Sequence, residues 1–306
     1  MLEVIFQMAG LIICGVGWRW LHPAGLAPAE TRTVLTALVY YLLLPALVLS
    51  VLWKAELGES SVLIATAAAV GIFAGLAIGF LSCRLCRNSS AEAGAVILAI
   101  TFPNATYLGL PVLEATFGPW ARGVAIQYDL FACTPLLFTV GVLVAARLGA
   151  SDENTGAIYR GLLRIPAMWA ALAAVALNVA DVPLPSVLDG LLTLLERGVV
   201  PLMLFSLGLS LEWSRSRWRL LPSLVPVVVV RLLLVPLIVM FVAGSLGMSG
   251  ELRAAVVMEA AMPSMVLGLV LCDRFKLDVG LYAAAVTVTT ALSMVTLPLW
   301  FAWLSA

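Results

Sequence analysis

Two short runs interrupt otherwise apolar, membrane-length segments: Thr101-Phe102-Pro103-Asn104-Ala105-Thr106-Tyr107 and Ala260-Ala261-Met262-Pro263-Ser264-Met265. Their prolines stand 160 residues apart. A proline in mid-span removes a backbone donor and frees a carbonyl, and in lipid such a break is tolerated only where it lines a protein-enclosed cavity. A pair of breaks at corresponding places in two halves points to the substrate site of a secondary transporter. Each break also creates half-helix ends with unpaired N–H groups and a positive dipole end, which can hold a carboxylate without a full buried charge. Asn104, directly after Pro103, offers an amide donor and acceptor there. It caps the backbone freed by Pro103, contacts an anion, or does both. Ser264 is its counterpart in the second half, and Thr101, Thr106 and Tyr107 add hydroxyls at the first break.

Ionisable residues inside spans cost about 2.5 to 3.5 kcal/mol each at a helix centre on insertion scales, so each needs a reason. They are Glu114, Asp129, Glu196, Arg197, Arg231 and Glu259. Arg231 lies roughly 18 Å into its span, near the midplane. There it balances a buried carboxylate or attracts an anionic substrate. Glu196 and Arg197 are neighbours and point in different directions on a helix, so Glu196 or Glu259 is the expected mate of Arg231. Glu259, one turn before Pro263, has three readings: a sodium ligand, a proton carrier, or a member of a structural pair. Asp129 is its nearest candidate helper. Ala99 occupies the position that repeats Glu259, so the acid is not needed for the helix break itself.

The elements that must position these residues are membrane helices. With 63% hydrophobic and 11% charged residues in 306, the chain reads as a polytopic membrane protein throughout. Apolar stretches bounded by charge, Gly or Pro give ten spans, roughly 2–20, 33–53, 61–83, 93–116, 121–147, 163–181, 187–211, 219–244, 252–273 and 279–304. The first lacks a basic leading region and a small-residue cleavage site, and is read as a retained helix. Twelve basic residues (Arg19, Arg32, Arg84, Arg87, Arg147, Arg160, Arg164, Arg215, Arg217, Arg219, Arg274, Lys276) fall on one side of this topology. Lys54, Arg122 and Arg253 fall on the other. The bias places both termini outside the cytoplasm of a bacterial-type inner membrane and the polar loop near residue 152 inside.

Five spans per half require the halves to insert with opposite orientation. The 160-residue offset also pairs Pro23 with Pro183, and a four-residue slip pairs Pro45 with Pro201, Ser50 with Ser206 and Glu56 with Glu212. The expected fold is therefore an all-α protein of ten transmembrane helices, built as two inverted five-helix repeats. Residues 1–148 form the first, 149–160 a cytoplasmic connecting loop and 161–306 the second, with broken helices 4 and 9 crossing near the midplane.

Other chemistry is poorly represented. His22 is the single histidine, and no H-E-x-x-H or G-x-S-x-G pattern occurs, which argues against an enzyme. Cys83 and Cys86 form a lone C-x-x-C without a second pair, read as reduced structural thiols. The near-terminal tryptophans of the spans, Trp53 and Trp120 among them, form the expected aromatic belt. No basic patch with interleaved aromatics suggests a nucleic-acid partner. Beyond the lipid bilayer, the expected partner is the anion, with sodium or a proton as coupling ion and no other cofactor. A receptor that binds the anion without moving it is the rival from another class.

The run from Phe102 to Leu113 followed by Phe117-Gly118 resembles the fourth-helix signature of the auxin efflux carrier family, which includes plant auxin exporters and bacterial malonate and malate permeases. The runs Glu259 to Ser264, Asp273-Arg274-Phe275, Asp278, Thr289 to Ser293 and Leu297-Pro298-Leu299 resemble its ninth and tenth helices. The resemblance implies a crossover of two broken helices, a mobile bundle around it, a scaffold of the remaining helices, a substrate contact at Asn104 and commonly a homodimer. The expected function is alternating-access transport of a small mono- or dicarboxylate, with the substrate at Thr101, Pro103, Asn104, Tyr107, Pro263 and Ser264. Asp129, Glu259 and Arg231 would serve ion coupling or charge pairing. The sodium-coupled bile acid symporters are similar in their inverted five-helix repeat and carry a glutamate one turn before a Gln-Asn pair. Glu259 matches that glutamate, while Pro263-Ser264 stands where Gln-Asn would be. A symporter of that type for a bulkier amphipathic anion is the alternative.

Overall fold

A computed structural model describes residues 2–55, 57–149, 165–210 and 221–305. The connecting loop from residue 150, together with Glu56 and Glu212 of the repeat pairing, lies outside them. The described residues form helices in this order: α1 Leu2–Leu21, α2 Pro28–Lys54, α3 Glu59–Cys86, α4 Ser90–Thr101, α5 105–117, α6 Ala121–Leu148, α7 Pro166–Val179, α8 Ser186–Ser210, α9 Pro222–Ser245, α10 Gly250–Ala260, α11 Gly268–Arg274 and α12 Val279–Leu304. Six of them, α2, α3, α6, α8, α9 and α12, are each long and apolar enough to cross a membrane. The two predicted breaks are real: α4 ends before Pro103, and α10 ends before Pro263.

Proline shapes the intact helices too. Four of the five π turns among the described residues, Val39–Leu43, Ala105–Gly109, Asp129–Cys133 and Val230–Leu234, each end two residues before a proline: Pro45, Pro111, Pro135 and Pro236. A proline ring collides with the carbonyl four residues back and supplies no N–H to it. Widening the preceding turn relieves both problems, because the residue just before the proline then bonds five residues back, as Leu110 N does to Ala105 O and Val235 N does to Val230 O.

The helices pack as two groups. In the first, α1 lies on the second part of α8, α7 lies on the second part of α2, and the first part of α2 also meets α8. Small residues set the spacing: a Cβ on Gly15 would stand 3.0 Å from the Cα of Gly208, and one on Gly208 would stand 3.0 Å from the Cα of Gly15. Asn178 of α7 donates to the carbonyls of Trp53 and Ala55, both at 2.8 Å, and closes the end of α2. The second group contains α3 against α4, α9 against α10, α3 against α9, α4 against α12, and α6 against both α5 and α10. Here the core sits, and nearly every side chain of α4 and the last seven residues of α10 are buried.

Candidate functional site

The chain between α4 and α5 crosses the chain between α10 and α11 as a single antiparallel bridge, Pro103 to Ser264. Asn104 N donates to Pro263 O at 2.8 Å, and Met265 N donates to Phe102 O at 2.9 Å. Each proline withdraws a donor from the carbonyl four residues back, and the crossing redistributes the rest. Ala99 O, which would have bonded residue 103, accepts from the Ser264 hydroxyl at 2.7 Å. Glu259 O, which would have bonded residue 263, accepts from Met262 N at 3.2 Å. Ser264 N turns instead to the Thr289 hydroxyl at 3.1 Å, and Tyr282 donates its hydroxyl to Met265 O at 2.7 Å.

Arg231 takes three more of the carbonyls freed at the two breaks. Its Nη1 donates to Ile100 O at 3.0 Å and to Thr101 O at 3.2 Å, and its Nη2 donates to Ala260 O. The expected pairing of Arg231 with Glu196 or Glu259 is therefore replaced. Among the described residues no carboxylate lies within ion-pair distance of Arg231, while Glu196 meets Arg122 Nη1 at 2.9 Å. The physical reason is that two helices broken side by side orphan their last carbonyls, and a five-donor planar cation satisfies several at once.

Asn104 is 1% exposed, and neither its amide nitrogen nor its amide oxygen has a hydrogen-bond partner. Its side chain makes no cap; its backbone carbonyl receives Leu108 N at 3.3 Å and Gly109 N at 3.0 Å. The other hydroxyls anticipated at the site are largely committed elsewhere. Thr101 donates to Ile97 O at 2.7 Å within its own helix, Thr106 donates to Asp129, and Ser264 holds Ala99 O. Tyr107 lines a cavity of about 310 Å³ between the two helix groups, which also meets Arg32, Tyr40, Ser206 and Val270.

Glu259 is fully buried on the last turn of α10, and both its carboxylate oxygens lack a partner. It presses against α5 at Gly109, where a Cβ would collide with the carboxylate. Asp129 differs: it accepts from Thr106 and, at 2.8 Å, from Thr134. At the far end of the molecule from Arg32, Arg122 of α6 joins Glu114 of α5 to Glu196 of α8, so one guanidinium spans the two helix groups. Sequence reading passed over Arg122, Thr134, Thr289 and Tyr282. Arg122 had a signal as one of three basic residues on the sparsely charged side, and Thr289 stood in a run that resembles the family's ninth and tenth helices.

A family model described as membrane transport protein matches residues 4–301. The chain belongs to the auxin efflux carrier family. It is 29% identical over 301 residues to an uncharacterized transporter of Methanothermobacter thermautotrophicus, covering 97% of this chain and 96% of the relative. An uncharacterized transporter of Methanocaldococcus jannaschii is 24% identical over 288 residues, 90% and 91% of the two chains. The uncharacterized transporter YfdV of Escherichia coli is 21% identical over 218 residues, 70% and 69% of the two. This family member is thus an integral membrane transporter, and its two interrupted helices meet inside the matched region.

Proposed function

We propose that this auxin efflux carrier family member moves a small organic anion, a mono- or dicarboxylate, by alternating access, with the substrate held at the crossing of the broken helices. The observation that carries this reading is Asn104: a side chain with two polar atoms, buried at the start of α5 and left without any protein partner. Burying an unpaired amide costs about 1–3 kcal/mol, a cost that a ligand's carboxylate would remove. The positive end of α5 adds to the attraction. Tyr107, three residues on, gives the site an edge on the cavity.

In this reading the chain is two inverted five-helix repeats, 1–148 and 161–306, joined by the loop 149–160. The packing supports it by its reciprocity. Exchanging the halves turns α1 on α8 into α7 on α2, and α3 on α4 into α9 on α10, and both members of each pair are present. The group of α1, α2, α7 and α8 is the scaffold, and the group around the crossing is the moving bundle. The transporter sits in a bacterial-type inner membrane with both termini outside, and works as a homodimer.

Glu259 supports a coupled mechanism, because a carboxylate with two unpartnered oxygens beside the crossing is suited to take up a proton or a sodium ion in step with the anion. Uptake of a panel of labelled carboxylates into proteoliposomes, with sodium and pH gradients imposed separately, tests the whole reading. Saturable uptake of at least one carboxylate is expected, driven by one of the two gradients. Glu259→Gln should remove that gradient's effect and leave substrate exchange less affected, since exchange need not release the ion. Absence of uptake and of exchange for every carboxylate would overturn the reading.

A further inference from the structure

Among the described residues Arg231 has no carboxylate within ion-pair distance. A π turn, Val230–Leu234, carries it on α9, where its side chain is 1% exposed. Its donors reach the last carbonyls of α4 and of α10, the negative ends of the two half-helices that run into the crossing. Asn104 stands at the opposite kind of end, the start of α5. An anion at Asn104 would therefore feel attraction from α5 and repulsion from the ends of α4 and α10, unless something offset the latter. Of the ionisable groups near the crossing, Asp129 accepts from two threonine hydroxyls and Glu259 faces Gly109, and neither forms an ion pair with Arg231.

We propose that Arg231 is the positioning residue of the anion site: it staples the two half-helix ends together through Ile100, Thr101 and Ala260, and its charge, held in no ion pair, makes the crossing attractive to an anion. This rests on the carboxylate reading of the Asn104 site. Two roles follow from one side chain. The staple depends on the donor fork, and the field depends on the charge. A neutral donor keeps part of the first and none of the second, while a lysine keeps the charge and loses the fork.

The two roles separate experimentally through the charge of the ligand, because a Coulomb energy scales with it. The probes are malonate, a dianion, and its monomethyl ester, which has the same skeleton and one charge fewer. Binding of each to purified wild-type, Arg231→Gln and Arg231→Lys protein in detergent is measured together with melting temperature. For Arg231→Gln, a loss of about tenfold for the ester should go with about a hundredfold for malonate, since twice the charge doubles the free energy lost. Arg231→Lys should restore the malonate-to-ester ratio even where its melting temperature falls. Equal losses for both ligands in Arg231→Gln, or full retention of both, would overturn the electrostatic role while leaving the carboxylate site standing. Wild-type protein that binds neither probe would overturn this inference, while the carboxylate reading falls only if the whole panel of carboxylates fails.

Discussion

Arg122 and Glu196 meet at 2.9 Å across the two helix groups, the first on α6 beside the crossing helices and the second on α8 of the neighbouring group. Arg122 holds Glu114 of α5 with its other arm, so separating the groups breaks one arm and leaves the guanidinium paired. The Arg122 side chain is 20% exposed and that of Glu196 9%, so this arm is a partly buried ion pair rather than a surface one. The cavity reaching Tyr107 opens between the same groups at the opposite end. The bridged end has cavities of its own, about 520 and 650 Å³, each lined by Arg122 and Glu196.

Glu196→Gln should shift the population toward opening at the Arg122 end. A cysteine at Ala115, which lines a cavity with Arg122 and Glu196, is expected to label faster with a membrane-impermeant maleimide added outside intact cells. Unchanged labelling at 115 in the Gln variant would show that the bridge does not hold that end closed. Labelling from the cytoplasmic face only would reverse the orientation read from the charge bias.

Gly109 permits Glu259 to lie against α5. Gly109→Ala places a methyl into the carboxylate and should destabilise the protein by about 1–3 kcal/mol, the usual cost of overpacking. Glu259→Ala in the same chain should return most of that loss. A melting temperature for Gly109→Ala equal to wild type, measured by differential scanning fluorimetry, would mean that α5 and α10 do not pack this closely.

Much of this site was legible because proline and asparagine announce themselves. Pro103 and Pro263 marked both breaks to within three residues, since a missing N–H is a property of the residue itself. The partners of Arg231 were not legible. Backbone carbonyls have no letter in a sequence, and which of them lie orphaned depends on how two breaks cross. Ser264 illustrates the same point, for its hydroxyl replaces a donor lost at Pro103 on the other segment. The bridge from Arg122 to Glu196 depends on how one helix group sits against the other, which local pattern does not encode. The span limits fared better, because hydropathy and length act locally: α12 runs Val279–Leu304, the span expected at 279–304.

The two prolines should tolerate replacement differently from Asn104. Pro103→Ala or Pro263→Ala restores a donor and lets the helix continue, withdrawing the half-helix ends from the crossing. Transport in proteoliposomes should fall while the melting temperature holds or rises. Wild-type transport rates in both variants would place the site elsewhere.

Equilibrium binding to Asn104→Ala is the most direct measurement. Neither amide atom of Asn104 bonds to the protein, so the variant should fold and melt as wild type does or slightly higher. Its affinity for the transported carboxylate should nevertheless fall by about ten- to over a hundredfold, the equivalent of one charge-assisted hydrogen bond of roughly 1.5–3 kcal/mol. A folded Asn104→Ala protein that binds the carboxylate with wild-type affinity would contradict a substrate site at the crossing.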